Sequence, residues 1–181
     1  ITRAVLHAPR EALGEVDDAF DEVVVVSDGR PLEPCARPVT LVVPLVLGID
    51  PADVGRAAAG ATRVVLTWPF LAERRHPASG LPHLLSEIRP FLDDLGISWS
   101  VKGVPGCVLG PHQGRHARTR NRWYVDSAHQ MGLARLFFPD VLQFSKYDVC
   151  RFCLLDERCD GVTAKPGDPR PDVSVSPVVD S

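Results

Sequence analysis

The sequence predicts an α/β protein, a partial or modified (β/α) barrel with a cysteine-rich C-terminal extension. Short β-branched runs alternate with helix-like segments over roughly the first hundred residues, and the composition changes after Cys107. This alternation is typical of βαβ units, in which helices connect parallel strands of an open sheet or of part of a barrel. We therefore divide the chain into an α/β domain over 1–106, a cysteine-bearing extension over 107–161 and a flexible tail over 162–181.

The first half of the α/β domain is predicted to contain three strands and one helix. The β-branched run Asp21–Ser27 predicts a buried strand, and Val39–Leu47 predicts another. Asp50 followed by Pro51 is typical of an N-cap and a proline at the first helical position, so a short Ala-rich helix is expected there. The run Arg63–Trp68 predicts the next strand.

The clearest helical pattern covers Ser79–Gly96, where leucine and isoleucine recur at helical spacing. Pro90 lies inside this segment and is expected to kink the helix. The alternating run Ile97–Val101 predicts a strand that leads to Cys107. Because binding groups of parallel sheets collect at the carboxyl ends of the strands, Cys107 is expected at a functional edge.

Composition and charge exclude several classes of function. With 20 basic and 23 acidic side chains the net charge is −3, which gives no general attraction to nucleic acid or to anionic membranes. No apolar run approaches the roughly 18 residues that a membrane span needs. There is no signal peptide, and an odd count of 5 cysteines argues against a disulfide framework. We therefore expect a cytoplasmic protein with reduced thiols that binds neither nucleic acid nor membrane.

The most informative motif is C-x2-C-x5-C-D-G, formed by Cys150, Cys153 and Cys159. Together with Cys107, these residues supply four thiolates, enough to saturate a [4Fe-4S] cluster or a zinc ion. Structural zinc sites often use two C-x2-C pairs, and Cys107 has no such partner. The uneven set therefore favours [4Fe-4S] over zinc, which stays as the alternative.

Other interpretations of these thiols stay open. Cys150 and Cys153 alone could be a redox dithiol, or the cysteines could be buried free thiols. His112 or His116 could replace one thiolate ligand, since both lie near Cys107 in sequence. Cys35 is interpreted as an incidental buried cysteine.

The cysteine pattern resembles the carboxyl half of certain radical S-adenosylmethionine (radical SAM) enzymes. The resemblance covers roughly Val64–Gly161 and depends on three segments. These are Gly103-Val-Pro-Gly-Cys107, Lys146-Tyr-Asp-Val-Cys-Arg-Phe-Cys153 and Cys159-Asp-Gly161. It implies late barrel strands followed by an extension that holds an auxiliary [4Fe-4S] cluster, with Cys107, Cys150, Cys153 and Cys159 as its ligands.

One departure from that family limits the function. The C-x3-C-x2-C loop that holds the SAM-cleaving cluster is missing, and the chain begins at Ile1. We therefore expect a missing N-terminal portion or a catalytic protein partner. The implied role is that of an oxidoreductase or lyase component in the maturation of a peptide or small-molecule natural product. The alternative is a non-catalytic binding module with a structural zinc site.

A basic cluster follows Cys107 in the chain and consists of Arg115, Arg118, Arg120 and Arg122. Guanidinium groups pair with carboxylates and phosphates, so the cluster is a candidate site for an anionic small molecule or peptide. A solvated surface loop is the alternative interpretation.

Overall fold

A five-stranded parallel sheet forms the centre of the protein, and its strands are adjacent in chain order. The structure, a computed structural model, describes residues 5–7, 10–16, 20–45, 48–67, 80–118, 124–125, 136–137, 143–159, 161–164 and 178–179. The strands of the sheet are β1 (Val5–His7), β2 (Glu22–Val26), β3 (Val39–Pro44), β4 (Arg63–Thr67) and β5 (Ser98–Lys102).

Two α-helices connect the last three strands of this sheet. Helix α1 (Pro51–Ala58) lies between β3 and β4, and α2 (Leu81–Asp94) lies between β4 and β5. The predicted N-cap of α1 is confirmed, because the Asp50 carboxylate accepts a hydrogen bond from the Ala52 N–H at 2.8 Å. Helix α2 continues through Pro90. Neither helix in the described ranges is long and apolar enough to cross a membrane.

The two helices pack against the same face of the sheet and against each other. They contact at Gly55, where a Cβ atom would lie 2.8 Å from Phe91 Cβ, so glycine permits this close approach. The core residues are fully buried and alternate along the strands. They include Val23 and Val25 of β2, Leu41 and Val43 of β3, Val64 and Leu66 of β4, and Leu85, Ile88 and Leu92 of α2.

The middle of the opposite face of the sheet is also removed from solvent, although Val26 at the end of β2 is exposed. Val24, Thr40, Val65 and Ser100 occupy the alternate positions of four neighbouring strands, and each is at most 9% exposed. Parallel strands that are adjacent in the sheet and connected by helices are typical of α/β proteins. The predicted α/β class with a parallel sheet is therefore confirmed.

Two short antiparallel pairs follow the sheet along the chain. Strand β6 (Tyr124–Val125) pairs with β7 (Leu136–Phe137), and β8 (Gln143–Ser145) pairs with β9 (Val162–Ala164). Strand β9 lies inside the segment that was predicted as a flexible tail. The sequence did not predict this strand, because its partner β8 is distant in sequence and no local pattern indicates the pairing.

Candidate metal centre

Three of the four predicted ligands lie in one closed loop. The chain between β8 and β9, here called the cysteine loop, begins and ends at the antiparallel pair Ser145–Val162. Lys146 Nζ crosses the loop to Asp156 Oδ1 at 2.6 Å and also donates to the Asp156 carbonyl. The ends and the middle of the loop are therefore tied together.

Tight turns determine where each thiol projects from the loop. Residues Asp148–Phe152 and Asp156–Arg158 form two short 3-10 helices. The Cys153 N–H donates to the Cys150 carbonyl at 2.9 Å, and the Cys159 N–H donates to the Leu155 carbonyl at 2.8 Å. This is the turn that the C-x2-C spacing requires for two neighbouring thiols.

The fourth cysteine lies just past the carboxyl end of β5, as predicted. Cys107 belongs to a kinked 3-10 segment, Gly106–Arg115, here called the Cys107 segment. Gly103 has a φ of +81°, a conformation that favours glycine, and this turn separates the segment from β5. The Cys107 segment then contacts α2.

His112 anchors the Cys107 segment to α2. Its ring is only 5% exposed, and its Nε2 lies 3.0 Å from Ser86 Oγ in a hydrogen bond. The ring centroid is 6.2 Å from that of Trp99. Burial is the main cause that lowers the pKa of His112, and the charge of Arg89 lowers it further. His112 is committed to this packing, which makes it a poor substitute for a thiolate ligand.

Arg115 belongs to a second anchor, centred on Asp93. The carboxylate accepts hydrogen bonds from Arg89 Nε at 2.9 Å and Trp99 Nε1 at 3.2 Å, and Arg115 Nη2 lies 3.6 Å away. The Arg115 guanidinium also stacks 4.5 Å from the Trp99 ring centroid. The hydrogen bonds from Arg89 and then Trp99 are the main causes that lower the pKa of Asp93.

The cysteine loop contacts the Cys107 segment at Cys159. The Gly106 N–H donates to Cys159 Sγ at 3.4 Å, and the Gly161 N–H donates to the same sulfur at 3.3 Å. A Cβ atom on Gly106 would lie 2.9 Å from Leu155 Cδ1, so the two segments are in close contact. Residues distant in sequence are thus brought together beside Cys107.

Arg118 forms another connection between the two segments. Its Nη1 donates to the Glu157 carbonyl at 3.3 Å. Of the predicted arginine cluster, Arg115 and Arg118 therefore make contacts within the protein. Arg120 and Arg122 lie outside the described residues.

The four predicted ligands are all half-buried free thiols. The structure brings Cys159 next to the Cys107 segment and keeps Cys150 and Cys153 in one turn. In the ranges that the structure describes, no three His, Cys, Asp or Glu side chains lie close enough together to hold a metal ion. Cys35 is also half-buried and packs against the sheet core.

A cleft that the sequence reasoning missed lies at the carboxyl ends of β2 and β3. It encloses about 360 Å³ and is lined by polar and apolar residues, among them Asp28, Pro44, Ile49 and Asp53. Asp28 accepts a hydrogen bond from the Arg30 N–H at 3.1 Å, and Asp53 pairs with Arg56. The sequence could have indicated this cleft, because ligands of parallel sheets bind at the carboxyl ends of the strands.

Comparisons with protein-family models, with curated proteins and with solved structures returned no match.

Proposed function

We propose that the protein binds a [4Fe-4S] cluster through Cys107, Cys150, Cys153 and Cys159. In this proposal it corresponds to the auxiliary-cluster half of a radical SAM enzyme and acts beside a catalytic partner, or with a missing N-terminal portion, in peptide or small-molecule maturation. The observation that carries the proposal is the hydrogen bond from the Gly106 N–H to Cys159 Sγ. This hydrogen bond joins the Cys107 segment to the cysteine loop, which contains the other three cysteines.

The chemistry of the donor set fits a four-thiolate centre. All four sulfur atoms belong to free, half-buried cysteines. Backbone N–H groups point at two of them, with two donors to Cys159 and one from Val178 to Cys153 at 3.3 Å. Such donors stabilise negative charge on sulfur and tune the reduction potential of iron–sulfur centres.

Metal binding would also account for the incomplete convergence of the thiols. Binding energy is commonly coupled to local folding, so ligands that lie apart in a metal-free chain are drawn together when the ion binds. The cysteine loop is held to the Cys107 segment at Cys159 and Arg118. Cys153 accepts a further hydrogen bond from the Val178 N–H, so among the described thiols of the cysteine loop Cys150 is the one that would move most.

The sheet supports the barrel part of the proposal. Five parallel strands adjacent in chain order are a feature of a (β/α) barrel. Cys107 follows the carboxyl end of β5, the edge at which such barrels place their sites. We infer that the sheet is part of such a barrel.

A four-thiolate cluster would supply one-electron transfer or structural support. The protein's own contribution lies in positioning. Gly106, Gly161 and Val178 direct N–H groups at sulfur, and Lys146 holds the loop closed through Asp156. The arginine cluster was predicted to bind an anionic small molecule or peptide. Arg115 and Arg118 have partners within the protein, so this binding would depend on Arg120 and Arg122.

The second candidate function is a binding module with structural zinc, since four thiolates also suit a tetrahedral zinc ion. Anaerobic purification followed by absorption spectroscopy and by iron, sulfide and zinc analysis separates the two. We expect a brown protein with about four irons and four sulfides per chain. A colourless protein with one zinc would support the module, and a protein that takes up neither would exclude both.

A further inference from the structure

A short C-terminal segment reaches the cysteine loop from outside it. Val178 makes two main-chain contacts there: its N–H donates to Cys153 Sγ at 3.3 Å, and its carbonyl accepts from the Leu154 N–H at 2.8 Å. The segment at Val178 and Val179, here called the strap, is therefore hydrogen-bonded to the loop at Cys153 and Leu154.

The strap distinguishes Cys153 from Cys150. Only Cys153 has this N–H donor from Val178, although the two thiols belong to the same C-x2-C pair. In the part of the chain that the structure describes, Cys150 Sγ has no such donor. The two thiols should therefore differ in their access to reagents in solution.

Among the described residues, backbone hydrogen bonds to Cys153 and Leu154 hold the strap to the loop. Its neighbours contribute little buried apolar surface, because Phe152 is 65% exposed, Leu154 57% and Val179 61%. Segments with few buried apolar contacts open at low free-energy cost. The contact of the strap with Cys153 therefore depends on these hydrogen bonds.

We propose that the strap is a positioning element of the thiolate site. It shields Cys153 and directs an N–H at its sulfur. The second half of this inference, stabilisation of a metal-bound sulfur, depends on the proposed function. The shielding of the free thiol does not.

The metal-free full-length protein tests the shielding. Val178→Pro removes the N–H, and Val178→Ala is the matched control because it shortens the side chain but keeps the N–H. Iodoacetamide labelling at about pH 9.5, above the ordinary cysteine pKa of about 8.5, makes access the limiting factor. Peptide mass spectrometry should show Cys153 labelled several-fold faster in Val178→Pro, with Cys150 and Cys159 unchanged. Equal Cys153 rates in the wild type and both variants would overturn the proposal.

The iron-loaded protein tests the effect on sulfur charge. Loss of an N–H donor destabilises the more negative, reduced state, so Val178→Pro should have a lower reduction potential than Val178→Ala. An unchanged potential would contradict this part. If the protein takes up no metal while Val178→Pro still exposes Cys153, the shielding role stands and the proposed function fails. If metal binds and the Cys153 labelling rates are equal, only the strap fails.

Discussion

At the scale of single residues, Gly106 decides how closely the cysteine loop approaches Cys107. Its N–H binds Cys159 Sγ, and its missing Cβ leaves room for the Leu155 side chain. The sequence identified Cys107 and Cys159 as partners from residue type and spacing. It gave no signal for Leu155 or for the N–H donors, because these contacts depend on how two distant segments fold together.

A methyl group at Gly106 is expected to separate the two segments. Gly106→Ala places a Cβ 2.9 Å from Leu155 Cδ1, and overpacking of this kind typically costs about 1–3 kcal/mol. Urea unfolding should show a loss near the lower end of this range, because Leu155 Cδ1 is the end of a side chain that can shift in part. The matched control is Gly114→Ala, because nothing lies within 4 Å of a Cβ there. Equal stability of the two variants would show that the segments are not in close contact.

At the scale of elements, α2 is the base on which the Cys107 segment is built. His112 contacts Ser86 of α2. The carboxylate of Asp93, also on α2, accepts hydrogen bonds from Arg89 and Trp99 and forms an ion pair with Arg115. The sequence predicted α2 and β5 because each has a strong local period. It did not predict the strand β1, which has only three residues, or the pairing of β8 with β9, which joins residues far apart in the chain.

The anchor at His112 should make stability depend on pH. Burial lowers the pKa of His112 in the folded state, so the unfolded chain binds the proton more readily. The stabilising contribution is complete above the unfolded pKa of about 6.5 and is lost as the pH falls below it. Arg89, Arg115 and Asp93 are the charged groups around this site. The free energy of unfolding should therefore fall more steeply below pH 6.5 in the wild type than in His112→Gln.

The control for this experiment is His83→Gln, because His83 lies on the same helix with its side chain 81% exposed. This variant should keep the steeper fall of stability below pH 6.5, because His112 is still present. A His112→Gln variant with that same slope would show that His112 is not the group responsible.

At the scale of the whole molecule, the protein combines a sheet with its own core and a cysteine loop whose described residues bury little apolar surface. The strands and α2 supply most of the fully buried side chains, whereas Val149, Phe152 and Leu154 of the cysteine loop are exposed. The α/β part was predictable because its apolar residues follow the periods of strand and helix. The extension was not, because turns, backbone donors and thiols hold it, and these leave no periodic pattern.

This difference predicts how metal changes local stability. Amides of β2–β5 should exchange slowly with deuterium whether or not metal is bound, because their protection comes from the core. Amides of the cysteine loop should exchange quickly in the metal-free protein and become protected when it is loaded. Hydrogen exchange with mass spectrometry measures both regions in one sample. Metal-independent protection of the loop would contradict the coupling.

The central claim is that Cys107 and the three cysteines of the loop share one inorganic centre. Iron and sulfide content after anaerobic reconstitution of Cys107→Ser, compared with Cys35→Ser, tests it most directly. Cys35 packs against the sheet core and serves as the matched control. The account predicts near-complete loading of Cys35→Ser and loss of at least half of the iron in Cys107→Ser. Equal and full loading of both variants would show that Cys107 is not a ligand and would contradict the account.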